Sequence, residues 1–204
     1  MLFDGIAGAF LALKDSDTNK LIADATKGLS ANGIYELDHS VLGVAEAKIT
    51  GLQGKQAQIT GNNTIQYVYS DPTAPTVALT VNDLPIDIGN KLTGVSASGL
   101  GYADDGSVPL GAVIVKVPSL RMPGVFVYYA FPSGSFTLGD PDFKSDDTSK
   151  KNITTDALTF AAITDDNIGG KLYKTFISTD EDFSEDAMFK DLFPDYVAAS
   201  DPKP

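Results

Sequence analysis

Turn-forming residues punctuate this chain so often that only short elements fit between them. Nineteen Gly and eleven Pro, with Asn and Asp clustered beside them, divide the 204 residues into brief segments. Within those segments apolar and polar side chains alternate, the pattern of a strand with one buried face. Residues 45–52 (AEAKITGL) set Glu46, Lys48 and Thr50 on one face and Ala47 and Ile49 on the other. Residues 56–60 repeat the pattern with Ala57 and Ile59 inward and Gln56 and Gln58 outward, and Gln53-Gly54-Lys55 between them has the make-up of a tight hairpin turn. Residues 64–70 (TIQYVYS) place Ile65, Tyr67 and Tyr69 on one side, with Thr64 and Gln66 opposite. Residues 76–82 (TVALTVN) place Val77, Leu79 and Val81 against Thr76, Ala78 and Thr80. The connector Asp71-Pro72-Thr73-Ala74-Pro75 cannot extend a ladder, because neither proline has an N–H to give.

Further strands are predicted at 112–117, 125–131, 134–138, 157–164 and 171–178. The apolar run at 5–13 (GIAGAFLAL) has the length of a signal-peptide core, yet Asp4 and no Lys or Arg precede it and no A-x-A-like site follows. It is also far short of the roughly 18 apolar residues of a membrane span. A first strand, in a protein made in the cytoplasm and kept there, is the expectation. Two helices interrupt the strands. Residues 84–92 carry Leu84, Ile88 and Leu92 one turn apart, with Pro85 in the first turn and Gly94 as the stop. Residues 183–193 follow Asp182, three positions before Glu185 in a capping-box-like start, and end at Pro194. Met188/Leu192 and Phe189/Phe193 make their apolar stripe.

The fold class is therefore mainly β, with a flanking helix and a short C-terminal helix. Residues 1–197 are expected to form one domain and 198–204 a disordered tail. Three stretches, 27–44, 94–111 and 139–156, carry few strand signals. Loops of that length in a compact domain are functional or ordered by neighbours, which points towards an assembly. Candidate inter-subunit residues on them are Tyr35, Glu36, Asp38 and His39, and Asp140, Asp142, Asp146 and Asp147.

Composition narrows the chemistry. There is no Cys, no Trp and one His, His39. Disulfide frameworks, thiolate nucleophiles, Cys-based zinc sites and haem attachment are excluded, and a Ser-His-Asp triad would depend on that one imidazole. The 27 Asp and Glu against 15 Lys and Arg leave a net charge of −12, which opposes binding to nucleic acid or to anionic membrane. Asp15-Ser-Asp17-Thr-Asn19 begins like a calcium loop, but Lys20 stands where the turn needs Gly and Thr26 where a bidentate Glu is needed; a polar turn is the simpler reading. The pairs Asp104/Asp105, Asp146/Asp147 and Asp165/Asp166 are expected to point apart and stay solvated rather than converge as acid and base. Gly99-Leu-Gly101 lacks the third glycine of a nucleotide fingerprint. Asn62-Asn63-Thr64 and Asn152-Ile-Thr154 fit glycosylation sequons that carry no weight without secretion. Tyr67/Tyr69 and Tyr128-Tyr129 could stack on sugars, but half-buried sheet positions explain them more simply. No cofactor or metal is called for, and no enzyme activity.

Four segments, in order, carry a likeness: Gly33-Ile-Tyr-Glu-Leu-Asp38; Ala47-Lys-Ile-Thr-Gly-Leu52 leading to Gly61-Asn-Asn63; Val81-Asn-Asp-Leu-Pro-Ile86 before a short helix; and Thr155-Asp-Ala-Leu-Thr-Phe-Ala161. Over residues 5–180 the chain resembles the major tail proteins of long, non-contractile bacteriophage tails, those of phages of Gram-positive hosts in particular. The resemblance implies a tail-tube β-sandwich with a flanking helix. It implies subunits that close into hexameric rings and stack into a virion tube guiding DNA to the host. The implied partners are further copies of the chain and the tape-measure, tail-tip and tail-terminator proteins. DNA would pass without specific binding, and no membrane would be engaged. The stretch after Ser178 is too short for the Ig-like domain some members carry. On this reading Glu46, Lys48, Thr50, Gln56, Gln58, Thr64, Gln66, Thr76 and Thr80 are the candidate channel-facing residues. The alternative is a carbohydrate-binding or adhesin-type β-sandwich, which would stay monomeric where a tube protein forms rings. A β-sandwich hydrolase would need a convergent acidic or His site that these residues do not supply.

Overall fold

The alternating segments become strands, and the order in which they pair departs from the sequence order. The computed structural model describes residues 2–146 and 151–198, so Asp147 and the tail expected at 199–204 lie outside the described residues. The described elements are β1 (Gly8–Lys14), β2 (Ile34–Leu37), β3 (Val44–Thr50), β4 (Gln56–Gly61), β5 (Thr64–Ser70), β6 (Thr76–Val81), α1 (Ile86–Thr93), β7 (Val95–Ser98), β8 (Gly101–Asp104), β9 (Leu110–Pro118), β10 (Phe126–Leu138), β11 (Asp156–Ala162), β12 (Lys174–Ile177) and α2 (Glu185–Leu192). One antiparallel sheet runs β2-β1-β9-β10-β11-β6-β3, with β12 beside β10, while β4–β5 and β7–β8 are separate hairpins.

The apolar run at the N-terminus is β1, buried along its whole length. Its side chains divide between the two faces: Ala9, Leu11 and Leu13 enter one apolar cluster, Phe10 and Ala12 another. The first cluster gathers residues from one face of the sheet, from Leu37 of β2 through Val113, Phe131, Phe160 and Leu79, to Ile49 of β3, and closes on Ile88 and Leu92 of α1. A sheet whose two ends share one core has curled in the manner of a β-sandwich. The second cluster lies on the opposite face of β1, β9 and the first half of β10, under Met188, Phe189 and Leu192 of α2.

The strands expected at 125–131 and 134–138 are one 13-residue strand, β10. Its first half pairs with β9 and β12, its second half with β11, and the register shifts between Phe131 and Gly134. Gly134 sits opposite Gly111 there. A Cβ at Gly111 would strike the Phe136 ring, and one at Gly134 the Phe160 ring and the Ala161 carbonyl. Two bare backbones let those rings pack 4.8 Å apart where the sheet bends.

Two of the three long loops contain strands. Residues 27–44 include β2, and their Leu29, Ile34, Leu37 and Val41 are buried. Residues 94–111 contain the β7–β8 hairpin. Residues 139–146 and 151–155 carry no regular element, as expected. Helix α1 begins at Ile86 rather than 84 and stops at Gly94, which takes a φ of +76°. Helix α2 starts later than expected, at Glu185. Its cap is Ser184, which accepts from the Ala187 N–H, while Asp182 sits outside the helix at a φ of +62°.

Candidate assembly surfaces

The half of the sheet built from β3, β6, β11 and the second half of β10 buries one face in the core and leaves the other open. Register sets Glu46 opposite Thr80, Lys48 opposite Ala78 and Thr50 opposite Thr76, and the last two hydroxyls lie 3.1 Å apart. Beyond them come Ala157, Thr159 and Ala161 of β11 and Thr137 of β10. This surface is a lawn of hydroxyls and methyls with one acid and one base. Glu46, Lys48 and Thr50 are exposed on it, and Thr76 and Thr80 are half-buried. The residues from β10 and β11 escaped sequence reasoning, because which strands neighbour β6 is a matter of topology.

The remaining channel candidates, Gln56, Gln58, Thr64 and Gln66, lie elsewhere. The expected β3–β4 hairpin does not form: β3 pairs with β6, and β4 pairs with β5. The turn is Asn62-Asn63, both residues at positive φ (51° and 64°). That is the two-residue geometry that matches strand twist, and asparagine tolerates it better than most side chains. Residues 51–55 lead into the arm beside 71–74, which lead out: the Asp71 N–H donates to the Lys55 carbonyl at 2.9 Å. A register shift after Ile59 pairs Thr60 with Ile65, so Ile65 leaves the face that Ile59 shares with Tyr67 and Tyr69. Gln66 folds back, its Nε2 donating to the Gly61 carbonyl and to Thr64 Oγ1.

No residue of β5 is buried. Ile59, expected inward, is exposed; Tyr67 and Tyr69, expected half-buried, are 62% and 43% exposed and stack at 6.4 Å. Tyr128, by contrast, is buried, with its hydroxyl donating to Glu185. From Gln56 to Ser70 there is no charged side chain. The arm is a two-stranded, uncharged, largely uncovered hairpin.

The inter-subunit loop candidates divide as well. Tyr35 and Glu36 belong to the edge strand β2 and not to a loop. Burial, then the carboxylate of Glu185, raises the Glu36 pKa. Asp38 caps the short helical turn His39–Val41 by accepting from the Ser40 N–H, and the bonds from Ser40 lower its pKa. His39 is exposed. Asp140, Asp142 and Asp146 are exposed in the loop after β10, where Asp142 pairs with Lys144 at 2.8 Å and Asp146 accepts from the Asn152 N–H at 2.9 Å.

Asp165 overturns the expectation of a solvated pair. It is buried against the ammonium of Lys14, also buried, and both bond to Ser133. Its other oxygen accepts from the Asn167 N–H and from Asn19. Burial works to raise the Asp165 pKa, but the bonds from Lys14, Ser133 and Asn167 outweigh it and hold the carboxyl below its usual range. Burial lowers the pKa of Lys14 against the pull of its partner. Sealed from solvent, this cluster ties the end of β1 to the turn after β11. The Asp15–Asn19 segment is a polar turn, as expected: Asp15 accepts from the Asp17 and Thr18 N–H groups.

Among the described residues no three His, Cys, Asp or Glu side chains gather to hold a metal, and no helix is long and apolar enough to cross a membrane. No curated protein matches the chain. The family model for phage tail tube proteins matches residues 1–201, a span that takes in the curled sheet, the arm and α2. The chain belongs to the phage tail tube protein family and is a structural component of the tail tube.

Proposed function

We propose that copies of this chain close into rings, hexameric by likeness to the family, and that the rings stack into the wall of a tube through which DNA leaves the virion. The open face of β3, β6 and β11 lines the channel, with Glu46, Lys48, Thr50, Thr76 and Thr80 on it. The arm reaches a neighbouring subunit through Ile59, Tyr67 and Tyr69 and leaves Gln56 and Gln58 towards the lumen, with Thr64 and Gln66 at its tip. The loop residues Asp38, His39, Asp140, Asp142 and Asp146, and the edge residues Tyr35 and Glu36, lie at contacts between subunits. Residues 1–197 act as one domain with no enzymatic role. Assembly takes place in the cytoplasm of a Gram-positive host, where the tube meets tape-measure, tail-tip and terminator proteins.

The observation that carries this reading is the uncovered arm: a hairpin with stacked tyrosines in water gains stability only by docking. Few charges on the channel face suit a duct for a polyanion, since lysines there would hold DNA by releasing counterions. The test is negative-stain microscopy and sedimentation of the purified chain across a concentration series, alone and with tail-tip proteins. Rings or tubes are expected. A monomer under every condition overturns the reading and favours a carbohydrate-binding sandwich.

A further inference from the structure

We infer that α2 is a hinged strap latched by the buried Lys14–Asp165 pair, and that acid, by discharging Asp165, frees the strap while the sheet beneath stays folded. This is a property of the free subunit, whether or not copies go on to form a tube.

Side chains alone hold α2 to the sheet. Among the described residues no backbone hydrogen bond joins 184–196 to a strand; those of Met188, Phe193 and Tyr196 stay within the segment. Met188, Phe189, Leu192, Phe193 and Tyr196 are buried in the second apolar cluster with Phe10, Ile114 and Ala130 of the sheet. Before the helix, residues 179–182 are exposed chain. An element with a hinge behind it and no ladder beside it can open at less cost than unfolding the whole domain.

The ion pair reaches the far end of α2 in two ways. The Phe193 ring lies over the Lys14 ammonium, 5.9 Å from nitrogen to ring centre. Asn167 donates its backbone N–H to Asp165 at 2.8 Å and its side-chain amide to the Leu192 carbonyl at 3.4 Å. That carbonyl ends the helix and has no partner within it. Both side chains of the pair are sealed from solvent. Protonating Asp165 strands the Lys14 ammonium there, and a buried charge without its partner is costly. Lifting Phe193 lets water reach that ammonium without breaking a strand ladder. The folded-state pKa of Asp165 lies below its unfolded value, so the latch is complete above the unfolded value and fails as pH falls through the folded one.

The other charges around the strap act differently. On the turns beside the pair, Asp15, Asp17, Lys20, Asp166 and Lys171 are exposed. Lys174 pairs with Asp191 in the open, where an ion pair holds little, and Lys190 and Asp195 are exposed. At the hinge end Glu185 accepts from Lys116 and Tyr128, and Asp186 accepts from Tyr196. Burial, then Glu185, raises the Glu36 pKa. Glu36 therefore loses its charge before Asp165 does, which eases repulsion on Glu185 and tightens the hinge end at the onset of acid.

The test is hydrogen exchange read by mass spectrometry on peptides from α2 and from β9. Asp165→Asn keeps the shape of the side chain and drops its charge. At neutral pH it is expected to speed exchange in 185–193 by roughly tenfold or more while β9 stays within about twofold of wild type. Asp191→Asn, which removes only the exposed pair, should change α2 exchange by less than about twofold. Lys14→Met/Asp165→Leu removes both charges and should restore slow exchange. In wild type, protection of α2 should fall ahead of that of β9 between about pH 5 and about pH 3, and the Met/Leu chain should lose that early opening. Wild-type exchange of α2 in Asp165→Asn overturns the inference, as does an equal rise in α2 and β9. If Asp165→Asn does not fold, the acid series decides: α2 and β9 opening together in wild type, or the same early opening in the Met/Leu chain, overturns it.

Discussion

Strands β5 and β6 are near neighbours in sequence, alike in length and alternation, and opposite in fate. In β6, Val77, Leu79 and Val81 are buried between flanking strands β3 and β11 on a common core. In β5, with one partner and no covered face, every residue is exposed. Alternation tells which side chains share a face. Whether anything covers that face depends on partners, and for β5 nothing among the described residues of the same chain does so. A sheet that satisfies itself and a hairpin that does not are therefore two stability regimes in one subunit.

Substitutions should separate the two regimes, with the largest effects in the sheet. Asp165→Ala leaves the Lys14 ammonium buried without its partner and should cost about 3–5 kcal/mol in urea unfolding of the free subunit. Replacing Lys14 and Asp165 together by Met and Leu should recover most of that. Leu79→Ala, in a position 2% exposed, should cost about 2–5 kcal/mol in the same assay. Acid should act next. The folded-state pKa of Asp165 lies below its unfolded value of about 3.9, so its contribution is complete above that pH and fades as pH falls through the folded value. Thermal midpoints of wild type should drop more steeply from roughly pH 4 downwards than those of Asp165→Ala. Equal slopes would assign the acid limb to other carboxylates. The smallest effect belongs to the arm: Tyr67→Ser with Tyr69→Ser should shift free-subunit stability by no more than about 0.5 kcal/mol while abolishing tubes seen by microscopy. A large loss of monomer stability would show that the arm leans on its own subunit and would erase the contrast with β6.

Sequence patterns reveal the two strands equally well, but not the contrast. The bounds of β5 and the buried set of β6 follow from alternation, and the apolar stripe of α2 from spacing. The pairing of β3 is hidden because Gln53-Gly54-Lys55 has the composition of a turn, while the true turn, Asn62-Asn63, coincides with a sequon. Strands β2, β7 and β8 are four residues each, too short for a period to show against their loops. Lys14 and Asp165 are 151 positions apart, so no spacing rule links them, and an Asp beside another Asp in a loop is ordinarily solvated. The channel candidates on β3 and β6 gather on one face as expected, whereas those at 56, 58, 64 and 66 were separated by a change of partner.

The Asn62-Asn63 turn bears on how fast a tube can grow. Fixing a residue's backbone costs about 1–2 kcal/mol of entropy at room temperature, and a disordered segment would meet that cost each time a subunit joined. Here two residues already in the left-handed region set the register of the hairpin before any encounter. On the tube reading, an incoming subunit would bring an arm whose turn already favours one register. Docking would then carry a smaller ordering cost at the growing end than a fully disordered arm would impose.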